Sequence, residues 1–283
     1  MALTQFWQCG RFRLDLAQPR IMGVVNVTPD SFSDHGRHFD RQVAIDHALA
    51  LIEEGAHILD VGGESTRPNA ADVPLDEELR RVLPVIEALA PRGVPVSVDT
   101  SKPEVMRRAL AAGAVIVNDV RALQEPGAVE AVAAGDCGVV LMHMQGTPRT
   151  MQADPHYGDL IGEIGAFLRA RCAALQTAGV ALERIVLDPG FGFGKSVEHN
   201  LELLARLGAL ALPAPLLAGV SRKSTLGAVT GRPVRERIHA SVAAALIAVQ
   251  NGARIVRVHD VAATRDALLV WQAIQPYSQG GGA

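Results

Sequence analysis

A single repeated unit constrains this chain more than any other feature: a short apolar run without alternation, a polar residue at its end, a helical stretch, then the next apolar run. Such runs are covered on both faces, which is how parallel strands read. They fall at residues 21–27, 57–61, 94–98, 115–117, 138–142, 184–187, 215–218 and 254–256. Between them the pattern predicts helices over 42–54, 76–89, 103–112, 126–134, 160–178, 198–207 and 240–250, with a last helix over 264–275. Gly55 and Gly113 stand where helices stop, and Pro103 where one can begin. Strict alternation demands parallel pairing with right-handed crossovers, because a helix is the usual route back to the starting edge. About eight such units in 283 residues suit a closed α/β (β/α)8 TIM barrel, with an open doubly wound sheet as the alternative. Residues 1–278 read as one domain, and the Gly-rich tail at 279–283 is expected to be disordered.

Composition narrows the function classes. A formal net charge of -3 supplies no attraction for nucleic acid or an anionic membrane, and no stretch approaches the ~20 apolar residues of a membrane span. Cys9, Cys137 and Cys172 lie far apart with no CxxC pair, so neither a zinc ribbon nor a disulfide framework is indicated, and a reducing cytoplasm is expected.

A closed barrel makes a sharp expectation, because Asn26, Thr66, Asp99, Asn118, His143, Asp188, Lys223, Arg257 and His259 all follow strand ends and would converge on one mouth. Asp99, Asn118, Asp188 and Lys223 together offer two carboxylates, an amide and an ammonium. That set can satisfy a planar heterocycle with adjacent N–H donors on one edge and a carbonyl on another, the edge of a 2-amino-4-oxo-pyrimidine such as a pterin or guanine. Such a site rejects analogues lacking those N–H groups by as much as ~10^4 to 10^5. An internal Asp–Lys salt bridge is the plainer alternative.

Arg67, Arg257 and His259 form an anion-seeking set, and Asn26 could lend a neutral oxygen to a Mg2+ that leans on substrate phosphates. For Arg257 alone, a surface ion pair is the competing account. The loop after the first run, through Thr28, Asp30, Ser31, Phe32, Ser33 and Asp34, carries hydroxyls and carboxylates on a segment stiffened by Pro29. The stretch GFGFGK ends like a P-loop, yet Pro189 stands where the first glycine is required. Its glycines would let backbone approach a flat ligand, with Phe193 as a lid or stacking ring; structural turn glycines are equally open. No HExxH spacing occurs, so His35, His38, His47, His57, His156, His199 and His239 read as ordinary, and Asp119 as a capping group.

The stretches MGVVNVTPDSFSD, DVGGESTRP, SVDTSKP, VNDV, LMHMQGTPRTMQ, LDPGFGFGK, GVSRKS and RVHDV, spanning residues 22–261, resemble the dihydropteroate synthase family, the folate-pathway enzymes that sulfonamides inhibit. The resemblance implies a (β/α)8 barrel that condenses 6-hydroxymethyl-7,8-dihydropterin diphosphate with 4-aminobenzoate in an SN1-like manner. Carried over by motif, Asp99, Asn118, Asp188 and Lys223 would hold the pterin, with Met142, Phe193 and Gly219 around its faces. Asn26, Arg257 and His259 would hold the diphosphate and Mg2+. Thr66, Arg67, Pro68, Ser224 and Phe32 would shape the aminobenzoate pocket, and Asp34 would offset a pterin cation, with Asp30 beside it among the substrate-binding residues. The family also implies a homodimer through the late helices and sensitivity to sulfonamides, since no insertion follows GVSRKS. A pterin-dependent methyltransferase barrel and a non-catalytic pterin-binding module are the alternatives.

Overall fold

The computed structural model describes residues 5–27, 37–65, 72–147 and 150–278. A hairpin, β1 (Phe6–Cys9) and β2 (Phe12–Asp15), precedes eight barrel strands: β3 (Arg20–Asn26), β4 (Ile58–Gly62), β5 (Val96–Asp99), β6 (Ile116–Asp119), β7 (Gly138–Met142), β8 (Ile185–Asp188), β9 (Leu216–Ala218) and β10 (Ala253–Val258). The eight pair in parallel in chain order, and β10 closes onto β3 through Val256 opposite Ile21. Outside lie α1 (Arg37–Glu54), α2 (Leu75–Leu89), α3 (Pro103–Ala111), α4 (Ala128–Ala133), α5 (Leu160–Thr177), α6 (Val197–Ala205), α7 (Ser224–Thr230), α8 (Ile238–Gln250) and α9 (Val261–Ser278). The expected barrel is therefore the observed one.

Several boundaries differ from expectation for one physical reason. β5 and β8 run on to Asp99 and Asp188, so these carboxylates belong to the ladder itself rather than to the loops beyond it. A parallel ladder pairs backbone irrespective of side-chain polarity, so the end of an apolar run need not be the end of the strand. The short helix α7 was not expected, and neither was the hairpin, whose four-residue strands are too brief for a clear period.

Side-chain alternation sorts the barrel into two cores. Leu59, Val61, Val96, Val98, Val139, Leu141, Ile185, Leu187, Val256 and Val258 face the helices. Met22, Ile58, Ile116, Val140, Val186, Leu217 and Ile255 face inward and pack on Trp7, Cys9 and Leu16. The hairpin thus plugs the end of the barrel where the strands begin. Trp7 is fully buried there, and its indole N–H donates to the Arg184 carbonyl at 2.9 Å. Arg184, itself buried, donates in turn to the carbonyls of Cys137 (2.8 Å) and Val132 (2.7 Å), binding the plug to the starts of β7 and β8.

Because strand side chains have a period of two, adding two to each inner apolar position gives the next inward residue. Ile58 leads to Asp60, Ile116 to Asn118, Val140 to Met142, Val186 to Asp188, Leu217 to Gly219 and Ile255 to Arg257. The apolar floor is thereby followed, one pleat higher, by a polar layer.

Replacing Trp7 by Ala should cost about 3–5 kcal/mol of stability through the cavity it leaves. Urea unfolding measures this. Since the plug lies at the end opposite the polar layer, the folded fraction should keep its ligand affinity, and a selective loss of affinity would contradict this division of labour.

Candidate active site

The polar layer opens into a cavity lined by Asp99, Asn118, Val120, Met142, Asp188, Phe191, Phe193, Gly219, Lys223 and Arg257. Eight of these were singled out from the sequence, and strand closure brings them together. Asn26 ends β3 half-buried, His259 follows β10 half-buried, and Ser224 opens α7 exposed to solvent. Asp30, Phe32, Asp34, Thr66, Arg67 and Pro68 lie outside the described residues, as do Thr28, Ser31, Ser33 and His35.

Arg257 is a bridge rather than a surface ion pair. Its Nε donates to Asp60 Oδ2 at 2.6 Å and its Nη2 to Asp99 Oδ2 at 2.8 Å. Asn118 Nδ2 donates to the same Asp60 oxygen at 3.0 Å, so one buried carboxylate fixes both a guanidinium and an amide. Asp60 was missed from the sequence, although a carboxylate inside the apolar run HILDV is a visible signal. A charge in a fully covered strand must find a partner. Asp60 Oδ1 and Ser97 Oγ, on residues paired in register, have no hydrogen-bond partner among the described residues.

No ion pair joins Lys223 to Asp188 among the described residues; Lys223 Nζ lies over the Phe193 ring, 4.1 Å from its centroid, a cation–π contact. Asp188 Oδ1 accepts from Gly190 N at 2.7 Å. Burial pushes Asp99 up to about 7, against the pull of Arg257 and with the Asp60 and Asp119 charges adding to the rise. Burial likewise raises Asp188 and lowers Lys223 to about 8, with the Asp188 charge opposing the fall. Two carboxylate acceptors, an amide and a cation, faced by Val120, Met142, Phe191 and Phe193, match a flat heterocycle with N–H groups on one edge.

The loop after β9 aims Lys223. Arg222 has a left-handed backbone (φ 59), a conformation costing about 1–2 kcal/mol in a residue with a Cβ. Asp260 holds it there, accepting from Arg222 Nε at 3.1 Å and Nη2 at 2.5 Å, while Arg222 N donates to Ser241 Oγ at 2.9 Å. Ser221 Oγ accepts from His259 N at 3.3 Å and lies 3.1 Å from His259 Nδ1. A hydroxyl can accept from the backbone N–H and also give its own proton to Nδ1, and in that arrangement the ring proton is on Nε2. Burial, then the charges of Arg257 and Arg222, hold His259 down to about 3, so the ring is a neutral donor at physiological pH.

Two expectations are corrected. His143 follows β7 but does not line the cavity; it is buried beneath the next loop, its Nδ1 3.0 Å from Lys195 Nζ and its ring edge-on to Phe167. Gly190 and Gly194 serve loop packing rather than ligand approach. Both have positive φ, and a Cβ would come within 1.9 Å of the His143 carbonyl oxygen and 2.6 Å of the Gln145 carbonyl oxygen. Asp60, as above, joins the site unforeseen. Asp119 caps its turn, accepting from Arg121 N and Leu123 N, both at 2.8 Å, and from the Ser101 hydroxyl.

Comparison with known proteins agrees with this geometry. Residues 22–259 match the family described as pterin binding enzyme. The chain is 54% identical to the dihydropteroate synthase of Neisseria meningitidis serogroup B over 95% of this chain and 97% of that protein. The Burkholderia cenocepacia dihydropteroate synthase solved with 7,8-dihydropteroate superposes with a TM-score of 0.90 at 53% identity, covering 99% of each chain. The Xanthomonas albilineans dihydropteroate synthase solved with 4-aminobenzoic acid gives 0.91 at 54% identity, covering 96% of this chain and 98% of that one.

The raised Asp99 has a stability consequence with a definite sign. Its free value is 3.8 and its folded value about 7, so between these the folded chain keeps a proton that the unfolded chain gives up. The stabilisation is complete below the lower value and is lost as pH rises through the upper one. Urea midpoints at about pH 5 and about pH 7.5 should differ less in Asp99→Asn than in the wild type; equal slopes in both would refute the assignment.

Proposed function

The chain belongs to the dihydropteroate synthase family of pterin-binding enzymes, and from that premise we propose how its own residues divide the work of joining 6-hydroxymethyl-7,8-dihydropterin diphosphate to 4-aminobenzoate. The reaction breaks the C–O bond to diphosphate, whose oxygen keeps the electron pair, and forms a C–N bond to the aryl amine, which then sheds a proton. The observation that carries the assignment of roles is the shared cavity of Asp99, Asn118, Asp188, Lys223 and Arg257.

Asp188 and Asn118 take the N–H edge of the pterin, Lys223 meets its carbonyl, and Met142 and Phe193 cover its faces. Asp99 belongs to the same set; its contact with Arg257 couples the ring end of the substrate to the diphosphate end. Arg257 Nη1 has no hydrogen-bond partner among the described residues, and with His259 Nε2–H it would offer donors to the leaving diphosphate, where charge develops in the transition state. Thr66, Arg67, Pro68, Phe32 and Ser224 shape the aminobenzoate pocket, Asp30 stands with the substrate-binding residues, and Asp34 offsets the pterin cation; these roles rest on the sequence motifs.

The rim suits a Mg2+ ion that arrives with the diphosphate. Asn26 offers one neutral oxygen, and no group of three or more His, Cys, Asp or Glu among the described residues could hold a metal alone. Bound there, the ion would offset charge on the leaving group. A weak aryl amine then needs no strong base, because proximity to an electrophilic carbon supplies much of the advantage.

A homodimer through the late helices is supported by exposed Ile247 on α8 and by Val270, Ile274 and Tyr277, which recur at helical spacing on α9. We place the enzyme in the cytoplasm, where the free, buried Cys9, Cys137 and Cys172 stay reduced. No helix among the described residues is long and apolar enough to cross a membrane.

Diphosphate release should require both dihydropterin diphosphate and 4-aminobenzoate, should stop on chelation of Mg2+, and should be inhibited competitively by a sulfonamide against 4-aminobenzoate. Release without the amine at the same rate would sink the synthase reading. Asp188→Ala should abolish pterin binding in calorimetry, and unchanged affinity would remove that role. Asp34→Ala should slow turnover far more than it weakens binding; normal turnover would take Asp34 out of the mechanism.

A further inference from the structure

Lys195 ends the stretch GFGFGK, resembles a P-loop lysine in sequence, and has no part in the chemistry above. Its side chain does not reach outward. It is 2% exposed and turns under the loop between β8 and α6, where Nζ meets three acceptors: the Gly190 carbonyl at 3.0 Å, the Phe193 carbonyl at 3.1 Å and His143 Nδ1 at 3.0 Å. Burial lowers Lys195 to about 7, with the Asp188 charge opposing the fall; in the ammonium form its three hydrogens match these three partners and leave none for a phosphate. His143 is a fitting acceptor, because burial and the Lys195 charge hold it down to about 3 and its ring stays neutral.

Both loop carbonyls belong to the turn that shapes the cavity. Phe193 N donates to the Gly190 carbonyl at 3.1 Å, Gly190 N donates to Asp188 Oδ1, and the Phe193 ring covers Lys223. From outside, the same loop is held by Gln152 Nε2 on the Gly192 carbonyl (2.6 Å) and Tyr157 Oη on the Gly194 carbonyl (2.8 Å). From within, Asn200 Oδ1 accepts from Gly192 N at 2.7 Å, and Lys195 adds its bonds to the Gly190 and Phe193 carbonyls and through His143 ties the loop to the end of β7.

We propose that Lys195 is a positioning residue for the pterin site: its ammonium, buried between the Gly190–Phe193 turn and His143, sets Phe193 over the ring pocket and keeps the Gly190 N–H on the Asp188 carboxylate. It acts through these groups and touches no substrate. The inference rests on the synthase reading and deepens it, since the affected half of the substrate is the ring and not the diphosphate.

The test is calorimetry of Lys195→Met with two probes, 6-hydroxymethyl-7,8-dihydropterin and inorganic diphosphate with Mg2+, alongside a thermal melt. Loss of a buried, charge-assisted set of bonds should weaken pterin binding by about ten-fold or more, while diphosphate affinity stays within about two-fold. Unchanged pterin affinity in a folded variant overturns the proposal, and so does an equal loss for both probes, which is what a merely structural lysine would produce. Should Lys195→Met fail to fold, His143→Leu and His143→Gln decide. The amide oxygen of Gln can accept from Lys195 where Leu cannot, so pterin affinity should fall in the first and recover in the second; equal affinities overturn the proposal. Diphosphate release by the wild-type chain, run beside these, tests the synthase reading separately.

Discussion

Closure of eight parallel strands on themselves is the constraint from which the rest follows. In a closed sheet every second residue must point into a space too small for water-filled slack, so the interior is decided layer by layer. Here the lowest layer is apolar and capped by Trp7, and the next is charged. The charged layer is tolerable only because its members answer one another. Asp60 takes both Arg257 and Asn118, and Arg257 also takes Asp99. Removing one partner from such a set leaves an unpaired buried charge, which costs more than the bond itself.

That network also explains how one mouth can serve a substrate with two unlike ends. In the proposed division of roles Asn118 and Asp99 serve the ring side and Arg257 the anionic side, and Asp60 fixes the relation between Asn118 and Arg257 from below. Asp60 and Asp99 set the guanidinium plane without a ligand, so in the proposed role its remaining N–H groups would need little reorganisation as charge shifts to the leaving group. Burial of Asp99 and Lys223 brings their titration close to neutrality, where either protonation state lies within easy reach.

The loops show the same economy at a second level. Arg222 sits in a left-handed conformation that Asp260 and Ser241 hold, and the consequence is the direction of Lys223. Lys195 turns inward to hold the loop that carries Phe193. In both cases a charged residue outside the cavity lining holds one that lines it. The second loop has a comparable stem: Lys102 Nζ meets Glu64 Oε2 at 2.7 Å and the buried Glu78, while Val73 N donates to Glu64 Oε1 at 2.8 Å.

Read as a string, the chain already determined an alternating parallel α/β fold and favoured a barrel over an open sheet, because about eight apolar runs of strand length alternate with helical stretches. It also determined which polar residues end those runs, and hence Asp99, Asn118, Asp188, Lys223 and Arg257 as a group. Tertiary structure alone decided which way side chains face within a run. Asp60 lies in the middle of HILDV, and only closure, which gives the inner face to Ile58 and therefore to Asp60, makes it a partner of Arg257. The same holds for His143 and Lys195, whose adjacency joins residues 52 positions apart. Periodicity is a local property and survives in one dimension; the choice of partner across a closed sheet is a distance, and distances exist only after folding.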